Sequence, residues 1–206
     1  MRTGTLNNYV KFSKKWGGVR KAYEGHEAPW MLVGGFKFPS LDVLPASGNV
    51  LPAFTPVLAD EVNRTIVPMY AFEVKSIDTE NKTISVVKNE EGTRAKVGMK
   101  LIVTPEDLST AGTAITVTAI DSTKEDVDVL TVNAVTGVTA GVILLEANNE
   151  NKVKVIPNSL TPYDTCVDED AYALDGDAIF GATSPIIERR IVPIPAIIKK
   201  ALADAG

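Results

Sequence analysis

The feature that most constrains this chain is an internal duplication. Shifting the sequence by 43 positions places Val74 on Val117, Ile77 on Ile120 and Asp78 on Asp121. The same shift places Val86 on Val129, Gly98 on Gly141 and Leu101 on Leu144. Conservative pairs follow without a gap: Ile84 with Val127, Val87 with Leu130, Ile102 with Leu145. Each copy reads as three strands. Phe72–Ile77, Thr83–Lys88 and Met99–Val103 form the first set; Ile115–Ile120, Val127–Asn133 and Val142–Glu146 form the second. Apolar residues alternate with polar ones, the period of a strand with one buried and one wet face. Gly98 and Gly141 precede the third strands, where a tight turn or a close backbone approach favours a residue without Cβ. Three short strands alone leave unpaired edges and enclose no core. Two such units facing each other can close six strands. The expected fold is therefore mainly β: a small barrel or sandwich built from a tandem three-stranded repeat.

The flanks have a different grammar. Residues 31–72 carry Pro39, Pro45, Pro52, Pro56 and Pro68 with Gly34, Gly35 and Gly48, which excludes helix interiors and central strands. Asp60-Glu61-Val62-Asn63-Arg64 lies between the apolar runs Pro56–Ala59 and Thr65–Val67, a hairpin signal. Between the repeats, Thr104-Pro105-Glu106-Asp107-Leu108 predicts one helical turn, with threonine as cap and proline first. Ile194–Leu202 predicts a short C-terminal helix opened by Pro195, too short to persist unless Ile197, Ile198 and Leu202 dock on the body or on a neighbour. The organisation read from this is an arm at 1–30, a Pro-rich β-domain from 31–72 and 153–206, and a duplicated insert at 73–152.

Charge divides the chain unevenly. Its formal net charge is −5, yet residues 1–30 hold Arg2, Lys11, Lys14, Lys15, Arg20 and Lys21 against Glu24 and Glu27, a net of +4. Five of the 13 aromatic residues (Tyr9, Phe12, Trp16, Tyr23, Trp30) fall in the same stretch. Aromatics with interspersed Arg and Lys suit an anchor on a partner surface, so Arg2, Lys11, Phe12, Lys14, Lys15, Trp16, Arg20, Lys21, Tyr23 and Trp30 are the candidate anchoring residues. The alternative is that the arm packs across its own body. The acidic balance argues against wrapping nucleic acid. The sequence as given opens on no apolar targeting run and contains no stretch long enough for a membrane span.

The residues offer little chemistry. One cysteine, Cys166, excludes an intrachain disulfide and a thiolate zinc cluster, and one histidine, His26, excludes a multi-histidine site. No nucleophile elbow accompanies His26, and no phosphate-binding glycine loop is present. Cys166 alternates like a buried strand residue. The acids Asp164, Asp168, Glu169, Asp170, Asp175 and Asp177 fail the calcium-loop test, since Tyr172 and Ala173 occupy the fifth and sixth places from Asp168. They read as solvated turns, with a calcium site from Asp175 and Asp177 or paired carboxylates as the sharper alternatives. No cofactor, metal site or catalytic residue is expected.

A resemblance bears on function. Leu44-Pro45-Ala46, Val50 through Glu61 and Arg64 through Pro68 resemble a segment of auxiliary head proteins of tailed bacteriophages. The repeat unit, Val-x-x-Ile-Asp ending in Gly-x-x-Leu, is similar to small barrel insertions in phage structural proteins. Gly176–Ala182, then Pro193-x-Pro195 and the Lys-containing helix, resemble the closing part of such chains. The likeness covers residues 40–72 and 174–202; the arm has no counterpart in it. It implies a non-enzymatic capsid decoration or head-fibre-base protein, assembled in the bacterial host cytoplasm and resident on the virion. It also implies the major capsid protein as partner and a homo-oligomer, by analogy a trimer. Neither nucleic acid nor membrane is expected to bind. Two other classes remain open: an adhesion or carbohydrate-binding β-module using the duplicated insert, and a β-rich hydrolase using acids alone.

Overall fold

The structure, a computed structural model, describes residues 35–88, 93–162, 164–167, 175–176 and 191–205; of Cys166, Asp175 and Gly176 it describes the backbone. In chain order the elements are β1 (Phe36–Lys37), a 3-10 turn (Leu41–Val43), β2 (Val50–Leu51), β3 (Pro56–Asp60), β4 (Thr65–Pro68), β5 (Ala71–Asp78) and β6 (Thr83–Val87). There follow β7 (Lys100–Val103), β8 (Ile115–Asp121), β9 (Val127–Val132), β10 (Ile143–Glu146), β11 (Ser159–Leu160), β12 (Thr165–Cys166), β13 (Asp175–Gly176) and the helix α1 (Ala196–Ala205). The protein is mainly β, and the tandem repeat supplies its centre.

The repeat closes on itself. Strands β10-β5-β6-β9-β8-β7 form a ring in which every strand is hydrogen bonded to two neighbours, all antiparallel. Closure removes the edges that one three-stranded copy would expose. The halves are related as the duplication requires. Gly98 N–H donates to the Val117 carbonyl at 2.8 Å, and its counterpart Gly141 N–H donates to the Val74 carbonyl at 2.7 Å. A bulge falls between Val74 and Ser76 in one copy and between Val117 and Ala119 in the other. Gly98 and Gly141 adopt φ of +87° and +84°. A Cβ at either would meet open space, so the turn conformation, not close approach, selects glycine.

One expectation fails in detail. The 43-residue shift holds for the first and third strands but not for the second. Val74 pairs with Val86 and Ser76 with Ser85, whereas Val117 pairs with Val132 and Ala119 with Thr131. The structural counterpart of Val86 is therefore Val132, 46 residues on, and that of Ile84 is Leu130. Val129, which the gapless shift equates with Val86, is only half-buried, while Ile84, Val86, Leu130 and Val132 all fill the interior. Measured between paired residues, the span from Asp121 to its partner Val129 is three residues longer than that from Asp78 to Thr83, and the span from Val132 to Leu144 is three shorter than that from Val86 to Leu101.

Alternation assigns the two faces of the ring. Tyr70, Phe72, Val74, Met99, Leu101, Ile115, Val117 and Leu144 join Ile84, Val86, Leu130 and Val132 inside. Ile102 and Leu145, next in sequence to Leu101 and Leu144, point outward and are fully buried beneath α1, where Ile198 meets them with Met69, Ala71, Val153 and Val155. The helix thus docks on its own chain. Pro195 opens it, its carbonyl accepting from Ile198 and Lys199 N–H at 3.0 Å. The Thr104–Leu108 helical turn does not form. Thr104 is held against β10, its N–H and its Oγ1 both donating to the Ile143 carbonyl at 3.0 and 2.7 Å, and Asp107 accepts Ser109 N–H in a plain turn.

The flanks on either side of the ring pair with each other. β11 pairs with β3, β12 with β2 and β13 with β1, and the sheet order is β11-β3-β4-β1-β13. Phe36, Phe38, Leu44, Leu51, Val57, Ala59, Ile66 and Val167 form its core. The expected hairpin is β3–β4, with Asp60 opposite Thr65; contrary to the edge positions that the prolines predict, both strands are paired on either side, Pro56 and Pro68 standing at the strand ends.

Candidate interaction surface

The candidate anchors Arg2, Lys11, Phe12, Lys14, Lys15, Trp16, Arg20, Lys21, Tyr23 and Trp30 lie outside the described residues, as do His26, Asp168, Glu169, Asp170 and Asp177. Of the acids, Asp164 is described. Its Oδ1 accepts Ala53 N–H at 2.6 Å, so it serves as a backbone acceptor joining the start of the β-flank to its end. Among the described residues no group of three or more His, Cys, Asp or Glu could hold a metal, and no helix is long and apolar enough to cross a membrane.

The ring is filled. Its inward side chains are apolar and buried. At one rim, cations stack on the interior aromatics. The Arg94 guanidinium, 6% exposed, lies 5.7 Å from the Phe72 ring centre, and Lys96 Nζ lies 6.0 Å from that of Tyr70. Tyr70 and Phe72 are themselves stacked, centroids 6.5 Å apart. Tyr70 donates its hydroxyl to the Val43 carbonyl at 2.7 Å, and Lys96 donates to the Asp42 carbonyl, tying the 3-10 turn to the ring. Burial pushes the Tyr70 hydroxyl well above its ordinary value; Glu146 adds to the shift and Arg94 opposes it. Burial also lowers Lys96, against the pull of Glu146 and Asp42. These are the shifts of a closed seam between two parts of the fold. The seam is not legible in the sequence: Arg94 and Lys96 lie in the connection between β6 and β7, outside any strand, where no periodicity marks them.

The exposed turns are cross-braced by their own side chains. In the β3–β4 turn, Asp60 Oδ1 accepts Val62 and Asn63 N–H at 2.9 Å, Asn63 Nδ2 donates to Asp60 Oδ2 at 2.7 Å, and Arg64 has φ of +53°. The β5–β6 turn repeats this chemistry with Asp78, Asn81 and Lys82. The Asn63 and Asn81 hydrogen bonds hold the two aspartates below the ordinary carboxylate value of 3.8.

No family model matches the chain, and neither the curated proteins nor the solved structures give a match. Its geometry is that of a filled ring carrying a short-stranded sheet, with charged and prebuilt turns at the surface.

Proposed function

We propose that this chain is a non-enzymatic virion structural protein of a tailed bacteriophage, binding the outer capsid surface as a decoration or head-fibre-base protein. The observation that carries the reading is the division of charge, a basic aromatic arm of +4 on a chain of net −5. The resemblance over residues 40–72 and 174–202 gives that arm its partner, the major capsid protein. A protein that bridges neighbouring subunits of an assembled shell binds the assembled state alone, and so stabilises it by mass action. A compact, apolar-filled ring suits a part that must stay rigid outside the shell. Opposite charge brings the arm to an acidic shell and leaves the body soluble. Several copies acting together, a trimer by the analogy, multiply a weak single contact.

The test is cosedimentation with shells assembled from the major capsid protein of the phage that encodes the chain. The full chain should pellet with shells. A chain lacking residues 1–30 should stay in the supernatant while its circular dichroism matches the parent. Full binding after the deletion refutes the anchoring role. Glycan-array binding without shell binding replaces the whole reading with the carbohydrate-binding alternative.

A further inference from the structure

The two copies differ in how their middle strands are set. In the first copy Asp78 pairs with Thr83 and Val74 with Val86. The same register in the second would pair Asp121 with Asp126 and Val117 with Val129, and would turn Val127, Val129 and Thr131 into the ring. The observed register lies three residues further on, pairing Asp121 with Val129 and Val117 with Val132. It turns in Leu130 and Val132 and, on the same face, Asp128, which pairs with the inward Val86 and is 3% exposed. A slip by an odd number of residues exchanges the faces of a strand, and register is weakly specified where both faces are alike. Burying a carboxylate is costly unless it is paired and hydrogen bonded, so Asp128 counts against the register that the strand adopts.

Two side chains without a counterpart in the other copy offset that cost. Lys88, just past β6, has Thr131 in its place 43 positions on, and Asp128 has Ser85 43 positions back. Lys88 Nζ lies 3.5 Å from Asp128 Oδ1 and donates to the Ser122 and Lys124 carbonyls at 2.7 and 3.1 Å. Two of the ammonium's three hydrogens thus go to backbone oxygens, and its charge faces the carboxylate. Thr93 Oγ1 donates to the same Asp128 oxygen at 3.1 Å. One cation therefore ties the inward carboxylate of β9 to the loop between β8 and β9. The second copy also lacks the chemistry of the shorter turn. Asn81 braces the β5–β6 turn and Lys82 takes its left-handed place; Lys124 and Glu125 stand at the equivalent positions.

We propose that β9 has two registers open to it, and that the Lys88–Asp128 pair, with Thr93, is the lock that holds the observed one. Removing one partner of a buried pair leaves an uncompensated charge, and setting register is the best-attested use of such pairs. Without Lys88 the strand relieves Asp128 by slipping three residues to the register of the first copy, which turns the carboxylate outward. The experiment compares the full chain with Lys88→Met and with Lys88→Met/Asp128→Val, reading backbone NOEs around the ring. The parent should show Val117 against Val132 and Ile84 against Leu130. Lys88→Met should lose these contacts and gain Val117 against Val129 and Ile84 against Val127. The double variant has no charge to bury and should return to the parental contacts. Parental contacts in Lys88→Met overturn the lock. A slip that persists in the double variant overturns it as well, since Asp128 would not be its cause. Loss of the fold in Lys88→Met overturns the second register, because a register within reach would have kept the ring closed.

Discussion

Leu101 and Leu144 occupy the same place in the two halves of the ring, 43 residues apart, and both are fully buried in one interior cluster. Each strand contributes one of them, β7 and β10, and these strands pair across the halves, Leu101 with Glu146 and Leu144 with Val103. Leu101→Ala or Leu144→Ala removes the branched end of a side chain that no water reaches. Such truncations cost about 2–5 kcal/mol, transfer and cavity terms together. The filled interior limits collapse, so about 3 kcal/mol is expected for each, and the two values should agree within about 1 kcal/mol. For a chain of this length that lowers the melting temperature by roughly 6–12 °C. Because the two side chains share one cluster, the double variant should depart from the sum of the singles by at least about 0.5 kcal/mol. Urea unfolding followed by circular dichroism gives the energies, and amide hydrogen exchange shows where protection is lost. Leu144→Ala should weaken protection in β5–β7 as much as in β8–β10. Protection that falls only in the half carrying the substitution, or two separate unfolding transitions, would refute the claim that neither repeat holds a core alone.

The helix offers a second test: Ile198→Ala should cost about 2–4 kcal/mol by opening space over Ile102 and Leu145, whereas the exposed Lys200→Ala should stay within about 0.5 kcal/mol. Denaturant titration checks both, and a neutral Ile198→Ala would mean that α1 is not seated on the ring. The third concerns acid. Asp60, Asp78, Asp107, Asp121 and Asp126 are all held below 3.8, chiefly by backbone or side-chain hydrogen bonds from Asn63, Asn81, Ser109, Thr123 and Lys75 respectively. With folded values below the unfolded one, their contribution is present above pH 3.8 and is lost as pH falls through the lower folded values. Carboxyl NMR titration should find all five midpoints under 3.8; a midpoint at or above it disproves the corresponding hydrogen bond.

The strands of the ring were legible because period-two alternation and a duplicated glycine are strong local signals. All six predicted strands match the observed ones within one residue at each end. The β3–β4 hairpin was legible through Asp60 and Asn63, which carry the turn chemistry in their own side chains. The register of β9 was not. Val127, Val129, Leu130 and Val132 offer apolar residues to both faces, and nothing in the strand says which set turns inward. The helical turn at Thr104 failed because the threonine's N–H and hydroxyl are both held at the Ile143 carbonyl, a partner 39 positions away. Arg94 and Lys96 were missed for a related reason. Their value comes from Tyr70 and Phe72, and cation–aromatic pairs that reach from a loop to a distant segment leave no spacing signal. Asp164, read as one of a run of solvated acids, is tied to Ala53, 111 positions earlier.

The offset of three residues in the middle strands makes loop length a ruler. Three is odd, and in a pleated strand an odd slip turns every side chain over. Since β9 would present a passable apolar face either way, the span from Asp121 to Val129 decides which side of it meets the core. Lengthening or shortening that span by one residue would invert the strand without altering a single residue in it. The same change by two would slide the strand and keep its inward set.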